Sequence, residues 1–327
     1  MSSDRQQDGA LLGALFAARG QLVSRRKLAR AAAVPAEDLE RRLAPYVEAG
    51  YRIEFHPQGG IGLLQEPPDV WCAEEIVGRC PPQENLPAWN PVLLAETPST
   101  NDVAREQGRR GVRGGFLVAA SRQTRGRGRL GRHWESPPNR GLYVSILLRP
   151  DLPMAEAGRL TILSSVAAVD AVEAVAGWRP QIKWPNDLVM KGRKLAGLLI
   201  ETEPVGARLA FAVVGIGINV GQVAEDFSPE VRELATSLRL ITGESYRRAD
   251  LLVALLHGFE RRLGRPFAEV REAWEASSLT LGQQVTLTTT QGRKHGQAVG
   301  LDESGALLLR SDSGEVEAVT AGDMRAV

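Results

Sequence analysis

Apolar residues recur at helical spacing near the start of the chain. Leu11, Leu12, Leu15 and Phe16 form one stripe, Ser24 is placed to cap a second helix carrying Leu28, and after the turn at Val34-Pro35 a third helix runs through Leu39, Leu43 and Val47 to Gly50. Two short strand-like runs follow, Tyr51-Arg-Ile-Glu-Phe55 and Ile61-Gly-Leu-Leu64, joined by His56-Pro-Gln-Gly-Gly60. Three helices and a hairpin in this order predict a winged helix-turn-helix over residues 1–64. Pro45 removes a backbone hydrogen bond inside the third helix and predicts a bend there.

Glu66-Pro-Pro68 and the prolines at 81, 82, 87 and 91 bracket a short helix at Val70 to Val77, which marks residues 65–91 as a linker. Strand-like runs follow at Val92–Ala95, Phe116–Ala120, Leu142–Leu148, Gln181–Trp184, Leu195–Glu201 and Leu209–Val214. Helices are expected near Asn101–Gln107, Ala155–Ala176 and Arg248–Gly264, the last leading to Pro266 and a segment Phe267–Ser277. Many strands against few helices predict an α+β chain with a mixed or antiparallel central sheet over residues 65–278, not a Rossmann alternation. After Thr280 the pattern changes to short strands between glycine turns, at Gln284–Thr288, Lys294–Leu301, Ala306–Arg310 and Val316–Val319. These predict a small SH3-like β-barrel over residues 279–327.

Charge alters this picture locally. The net charge of +1 over 327 residues excludes a globally basic nucleic-acid wrapper, yet nine arginines face the single acid Glu106 between Arg105 and Arg132. Cys72 and Cys80 are too far apart for a CxxC pair and have no histidine near them in sequence to complete a zinc site. Met1-Ser-Ser-Asp-Arg-Gln-Gln has no apolar signal core, and no run approaches the ~20 apolar residues that span a bilayer, so a cytoplasmic protein is expected.

The arginines sit in Ser121-Arg-Gln-Thr-Arg-Gly-Arg-Gly-Arg-Leu-Gly-Arg-His-Trp134, followed by Lys183-Trp-Pro-Asn-Asp-Leu188 and Arg193-Lys-Leu-Ala-Gly197. Glycines alternating with arginines let the backbone approach a ligand while planar cations converge on its phosphate or carboxylate oxygens, so a nucleotide is the natural substrate. Each motif has a plainer reading. Ser99-Thr-Asn101 suits a helix cap, Lys183 to Asp187 suits a strand ending in a turn, and the arginine run suits a solvated face or an RNA-binding segment. His56, His133, His257 and His295 are scattered, and no Ser-His-Asp or Cys-His set presents itself.

Ser99-Thr-Asn101, Gly126-Arg-Gly-Arg-Leu-Gly131, Lys183-Trp-Pro-Asn-Asp187 and Lys194-Leu-Ala-Gly197 occur in the order and spacing of the biotin protein ligases. The chain resembles, over essentially its whole length, the bifunctional type with an N-terminal winged helix, the biotin operon repressors. The resemblance implies adenylation of biotin by ATP with Mg²⁺, then transfer of biotin to a lysine of the biotin carboxyl carrier protein. It assigns Arg129, Lys194 and Asp187 to catalysis, with Arg129 restraining the intermediate and Lys194 polarising the acyl oxygen. Biotin would be held by Ser99, Thr100, Asn101, Gln123, Arg127, Gly128, Arg129 and Lys194, with Gly215 and Gly217 of Val214-Gly-Ile-Gly-Ile-Asn219 admitting its rings. ATP would be held by Arg129, Arg132, Trp134 as a flat surface for adenine, Lys183, Asn186, Asp187, Asn219 and Arg325, with Mg²⁺ accompanying the nucleotide near Asp187.

The winged helix makes operator DNA a further candidate partner, clamped by Arg25, Arg26, Lys27, Arg41 and Arg42. Glu37, Asp38 and Glu40 at the start of the third helix oppose phosphates and weaken that expectation. The resemblance also raises a homodimer formed through the central sheet. Three rivals stay open at this point. A lipoate or octanoate ligase shares the fold but lacks the tryptophan–proline motif; a DNA-binding sensor would have an inactive ligase site; an RNA-binding protein would use the arginine run.

Overall fold

The computed structural model describes residues 3–57, 60–290 and 292–326, and of Arg325 and Ala326 it describes the backbone alone. The N-terminal unit comprises α1 (Ser3–Ala17), β1 (Leu22–Val23), α2 (Arg25–Ala32), α3 (Leu39–Glu48), β2 (Ile53–His56) and β3 (Gly60–Leu63). Ser24 caps α2 as its sequence position indicates, its hydroxyl accepting from Lys27 N at 3.3 Å. The three strands pair in the order β1-β3-β2.

One detail of the third helix differs from the sequence reading. The stripe is Leu39, Leu43 and Tyr46, while Val47 is 41% exposed, because an i, i+4, i+7 spacing keeps the same face and i+8 rotates off it. Pro45 stands inside α3 without ending it. Arg42 is also reassigned: it donates to Asp8 at 2.7 Å and Asp4 at 3.0 Å and is largely buried, so it ties α3 to α1 and does not face outward. Arg25 pairs with Glu40 and Arg41 with Asp38, whereas Arg26 and Lys27 are exposed.

Helix α4 (Ala73–Arg79) leads to β4 (Asn90–Thr97), α5 (Thr100–Arg109), β5 (Phe116–Gln123), β6 (Gly141–Leu148), α6 (Gly158–Ala176), β7 (Gln181–Lys183), β8 (Asp187–Met190), β9 (Arg193–Val205) and β10 (Arg208–Asn219). The strands form one sheet in the order β4-β5-β6-β10-β9-β8-β7, parallel between β4 and β5 and antiparallel elsewhere, which is the mixed sheet expected. Short helices α7 (Pro229–Arg232) and α8 (Leu238–Thr242) precede α9 (Arg248–Arg262) and α10 (Phe267–Glu275). A five-stranded antiparallel sheet ends the fold, built from β11 (Gln284–Thr289), β12 (Gly292–Leu301), β13 (Leu307–Arg310), β14 (Val316–Val319) and β15 (Asp323–Ala326), in the order β14-β13-β12-β11-β15.

Strand alternation decides which face of the central sheet is core and which is site. On β10, Ala212, Val214, Ile216 and Ile218 point into the main core with Leu142, Val144 and Ile146 of β6, and α6 and α9 cover them. That core continues into Val285, Leu287 and Leu309 of the five-stranded sheet. The opposite face carries α5, packed on Val118, Leu147, Phe211 and Val213. At the N-terminal end of α5 this face turns small and polar along β10, at Gly215, Gly217 and Asn219, and that break in the apolar pattern leaves room for a cavity. Among the described residues no helix is long and apolar enough to cross a membrane.

Candidate active site

A cavity of about 460 Å³ lies on the polar face of β8, β9 and β10. It is roofed by the arginine loop, residues 124–134, and closed at one side by Asp323 and Met324. The loop folds back on itself through Gly128 N to Arg132 O at 2.8 Å and Trp134 N to Gly126 O at 3.0 Å. Gly126 is required there, because a Cβ would stand 2.4 Å from the Trp134 carbonyl. Leu130, at the tip, adopts φ +58° and is 73% exposed.

Of the residues assigned to biotin and ATP, Ser99, Asn101, Gln123, Arg127, Gly128, Arg129, Arg132, Trp134, Lys183, Asn186, Asp187, Lys194, Gly215, Gly217 and Asn219 all line this cavity. Thr100 does not, being 3% exposed behind the wall. The Arg325 side chain lies outside the described residues; its backbone pairs with Thr286 on β11.

The first wall is a buried polar cluster at the start of α5. Ser99 occupies the N-cap position but its hydroxyl makes no capping hydrogen bond. Gln123 caps α5 in its place: its Oε1 accepts from Thr100 N at 2.9 Å and Thr100 Oγ1 at 3.1 Å, which leaves Ser99 facing the cavity. Asn101 donates to Glu201 Oε2 at 2.7 Å and accepts from Ser145 Oγ at 2.6 Å. Ser145 and Glu201 were not singled out from sequence; only their inward phase on β6 and β9, opposite α5, marks them.

The glycines of β10 stand against side chains of the site itself. A Cβ on Gly215 would stand 2.1 Å from Asn101 Oδ1, and one on Gly217 2.5 Å from the Trp134 ring. Gly215 makes room for the Asn101 carboxamide, and Gly217 with Gly197 of β9 forms a bare platform under the Trp134 indole. Trp134 Nε1 is buried without a hydrogen-bond partner among the described residues.

The second wall is charged. The β7–β8 hairpin turns through Trp184, Pro185 and Asn186 and sets Lys183 opposite Asp187. Lys194 Nζ lies 2.6 Å from Asp187 Oδ1 and 5.6 Å from the Trp134 ring centroid. Asp187 Oδ1 is buried and accepts no properly directed hydrogen bond, so this contact is a charge pair off the lone-pair direction. Asn186 is fixed by donating to Leu198 O at 2.6 Å, and Asn219 by donating to Thr236 O at 2.9 Å.

The arginines are not equivalent. Arg127 forms a two-pronged pair with Asp102 at 2.6 and 2.7 Å, and Arg132 pairs with Asp323 at 2.5 and 3.2 Å. The Arg127 hydrogen bonds hold the Asp102 carboxyl below the usual carboxylate range. Arg129 is more deeply placed and meets neutral acceptors only, Asn186 Oδ1 at 3.2 Å and Gly322 O at 3.1 Å. Burial pulls its guanidinium down from the ordinary arginine value. Neither Arg129 nor Lys183 has an ion-pair partner within 4 Å among the described residues, although Asp187 and Asp323 act on Arg129 from further off; both cations line the cavity and make it a site for an anion. Elsewhere in the basic stretch Arg105, Arg109, Arg110 and Arg122 pair with Glu201, Glu203, Glu106 and Glu96.

Residues 93–219 match the biotin/lipoate A/B protein ligase family, and residues 280–324 match the biotin protein ligase C-terminal domain. The bifunctional ligase/repressor BirA of Bacillus subtilis is 32% identical over 305 residues, covering 92% of this chain and 93% of that protein. This chain belongs to the biotin protein ligase family. The biotin--[acetyl-CoA-carboxylase] ligase of Mycobacterium tuberculosis is 31% identical over 241 residues, covering 71% of this chain and 87% of its own. Among solved structures, the biotin protein ligase of Aquifex aeolicus in complex with biotin and ATP aligns at a TM-score of 0.62 with 31% identity, covering 73% of this chain and 99% of that one.

Proposed function

We propose that this chain is an ATP-dependent biotin protein ligase. A biotin carboxylate oxygen attacks the α-phosphorus of ATP and pyrophosphate leaves; the amine of a lysine on the biotin carboxyl carrier protein then attacks the acyl carbon, and AMP leaves as the amide forms. The observation that carries this reading is the pair of cations without an ion-pair partner within 4 Å, Arg129 and Lys183, in a cavity whose other wall is Ser99, Asn101 and Gln123, with Asn101 fixed from behind by Ser145 and Glu201. One wall suits phosphoryl and acyl oxygens; the other suits a neutral polar group such as the biotin urea.

In this reading Arg129 holds the acyl phosphate and Lys194 leaves Asp187 for the acyl oxygen. That departure exposes Asp187 Oδ1, already without a directed hydrogen bond, to a Mg²⁺ ion carried in with the ATP phosphates. Arg127 and Arg132 exchange Asp102 and Asp323 for ligand oxygens, Trp134 offers its face to adenine, and Ser99 and Gln123 meet the urea. No nucleophile is asked of this chain, since the acceptor lysine supplies it.

The same proposal divides the chain into a winged helix at 1–64, a catalytic part at 65–278 with its linker at 65–91, and an SH3-like part at 279–327, all in the cytoplasm. Operator binding would fall to exposed Arg26 and Lys27 with Arg25 and Arg41, and not to Arg42. A homodimer would form by extending the central sheet at its edge strand β4.

The test is Mg²⁺-dependent ATP–pyrophosphate exchange with biotin, lipoate and octanoate in parallel. Exchange with biotin alone is expected. Exchange with lipoate or octanoate in its place, or with none of the three, overturns the proposal.

A further inference from the structure

Far from the cavity, α4 and α9 bring together three side chains that the sequence keeps 177 and 180 residues apart. Cys80 stands at the C-cap of α4, while His257 and Glu260 lie one turn apart on the same side of α9. Cys80 Sγ, a His257 ring nitrogen and a Glu260 carboxylate oxygen all lie within 4.8 Å of one another. We propose that Cys80, His257 and Glu260 bind a divalent transition-metal ion of the zinc class, which fastens the α4–β4 linker to α9.

The ligand set suits such an ion. Thiolate, imidazole and carboxylate are the three protein donors that tetrahedral zinc accepts, and with neutral imidazole the two anionic ligands balance a 2+ charge, so the filled site is neutral. The thiol proton leaves to solvent as the Cys80 sulfur binds. Glu260 is 6% exposed by side chain and has no arginine or lysine ion-pair partner among the described residues; its only basic neighbour is His257 Nδ1 at 2.7 Å. A buried carboxylate without a strong cation is costly, and a metal at this point removes that cost.

A supporting layer is also present. The buried Trp89 donates its indole N–H to Glu260 Oε1 at 2.7 Å, which fixes the carboxylate and leaves Oε2 directed at the site. Two bonds of ~2.0–2.1 Å at a tetrahedral angle separate nitrogen and oxygen ligands by roughly 3.3 Å, so His257 and Glu260 need to part by about half an ångström. His257 is 39% exposed by side chain and borders a groove lined by Gly13, Phe16, Arg79 and Asp250, which gives the ion a route in and leaves the fourth position to water.

The rival is a plain imidazolium–carboxylate pair with Cys80 as packing. Full-length protein stripped of metal is titrated with Co²⁺, and thiolate-to-cobalt absorption in the near ultraviolet is followed. The expected result is one equivalent bound with that absorption, abolished in Cys80→Ser, retained in Cys72→Ser, and displaced by Zn²⁺. Trp89→Phe, which removes the indole donor together with part of a buried ring, is expected to weaken Zn²⁺ binding 10–100-fold in competition with a chromogenic chelator. Should Cys80→Ser fail to fold, His257→Gln at the half-exposed position serves in its place, with loss of stoichiometric Co²⁺ binding expected. Absence of the absorption in the wild type, or its persistence in Cys80→Ser or His257→Gln, overturns the proposal.

Discussion

Gly215→Ala is the sharpest test of how the cavity wall is built. The new methyl group would stand 2.1 Å from Asn101 Oδ1, 2.9 Å from its Cγ and 3.0 Å from its Nδ2, so the whole carboxamide must move. Asn101 holds three hydrogen bonds in that position: from Ser145 Oγ at 2.6 Å, to Glu201 Oε2 at 2.7 Å and to Leu199 O at 3.4 Å. At ~0.5–1.5 kcal/mol net for each, and more where a carboxylate accepts, their loss amounts to about 3 kcal/mol. For a chain of this size that lowers Tm by roughly 5 °C in a thermal melt. The KM for biotin in pyrophosphate exchange should rise at least tenfold, since Asn101 lines the site. The cause is separable by a double-mutant cycle. In an Asn101→Ala background the same methyl meets empty space, so its further cost should fall to about 0.5 kcal/mol or less. Equal costs in the two backgrounds would refute the account of Gly215 as the residue that admits Asn101.

Other consequences can be measured directly. Arg129→Gln, which removes a cation hydrogen-bonded only to neutral acceptors, should reduce adenylation kcat/KM by roughly 10²–10³, whereas Arg132→Gln, exposed and already paired with Asp323, should cost less than about tenfold. Glu75→Gln breaks a fully buried cluster that accepts from Arg247 at 2.9 Å, Arg79 at 2.7 Å and Tyr51 OH at 2.5 Å; a loss of about 3–5 kcal/mol is expected in urea melts, with biotin KM unchanged because the cluster lies outside the cavity. Asp102 is held below its ordinary value of 3.8 by Arg127, so the stability it adds is fully present above that pH and is lost as pH falls through its lower folded value; the wild type minus Asp102→Asn difference in Tm should shrink on acidification below pH 3.8. Burial pushes the Cys72 thiol up to about 12, and Cys80 is buried too, so a disulfide reagent at pH 8 should label neither in metal-stripped native protein and both in urea.

Much of this was legible because local patterns and tertiary demands agree. The apolar runs of β6 and β10, the cap at Ser24 and the small-residue break at Gly215 and Gly217 mark the strands, the second helix and the site face in turn. What escaped depends on partners distant in sequence. Ser99 occupies a cap position, yet Gln123 does the capping, and no local rule reveals that a strand-end glutamine reaches a helix start 23 residues earlier. The two β10 glycines point to a close approach but do not name the visitor, which is Asn101 in one case and Trp134 in the other. Strand β15 has a composition close to a loop's and becomes a strand through pairing with β11. Cys80 has no histidine near it along the chain, and the crossing of α4 over α9 supplies one.

The basic stretch between Arg105 and Arg132 is intensely positive along the sequence and close to balanced in space, with Arg105, Arg109, Arg110, Arg122, Arg127 and Arg132 each facing an acid. Such paired charges cast little field beyond a Debye length of ~8 Å at physiological ionic strength. These paired arginines therefore give little long-range guidance, and a long polyanion finds few free contacts among them. Capture becomes an exchange of one anion for another at short range, with Asp102 and Asp323 giving way to phosphate, so its rate should change little as salt is raised.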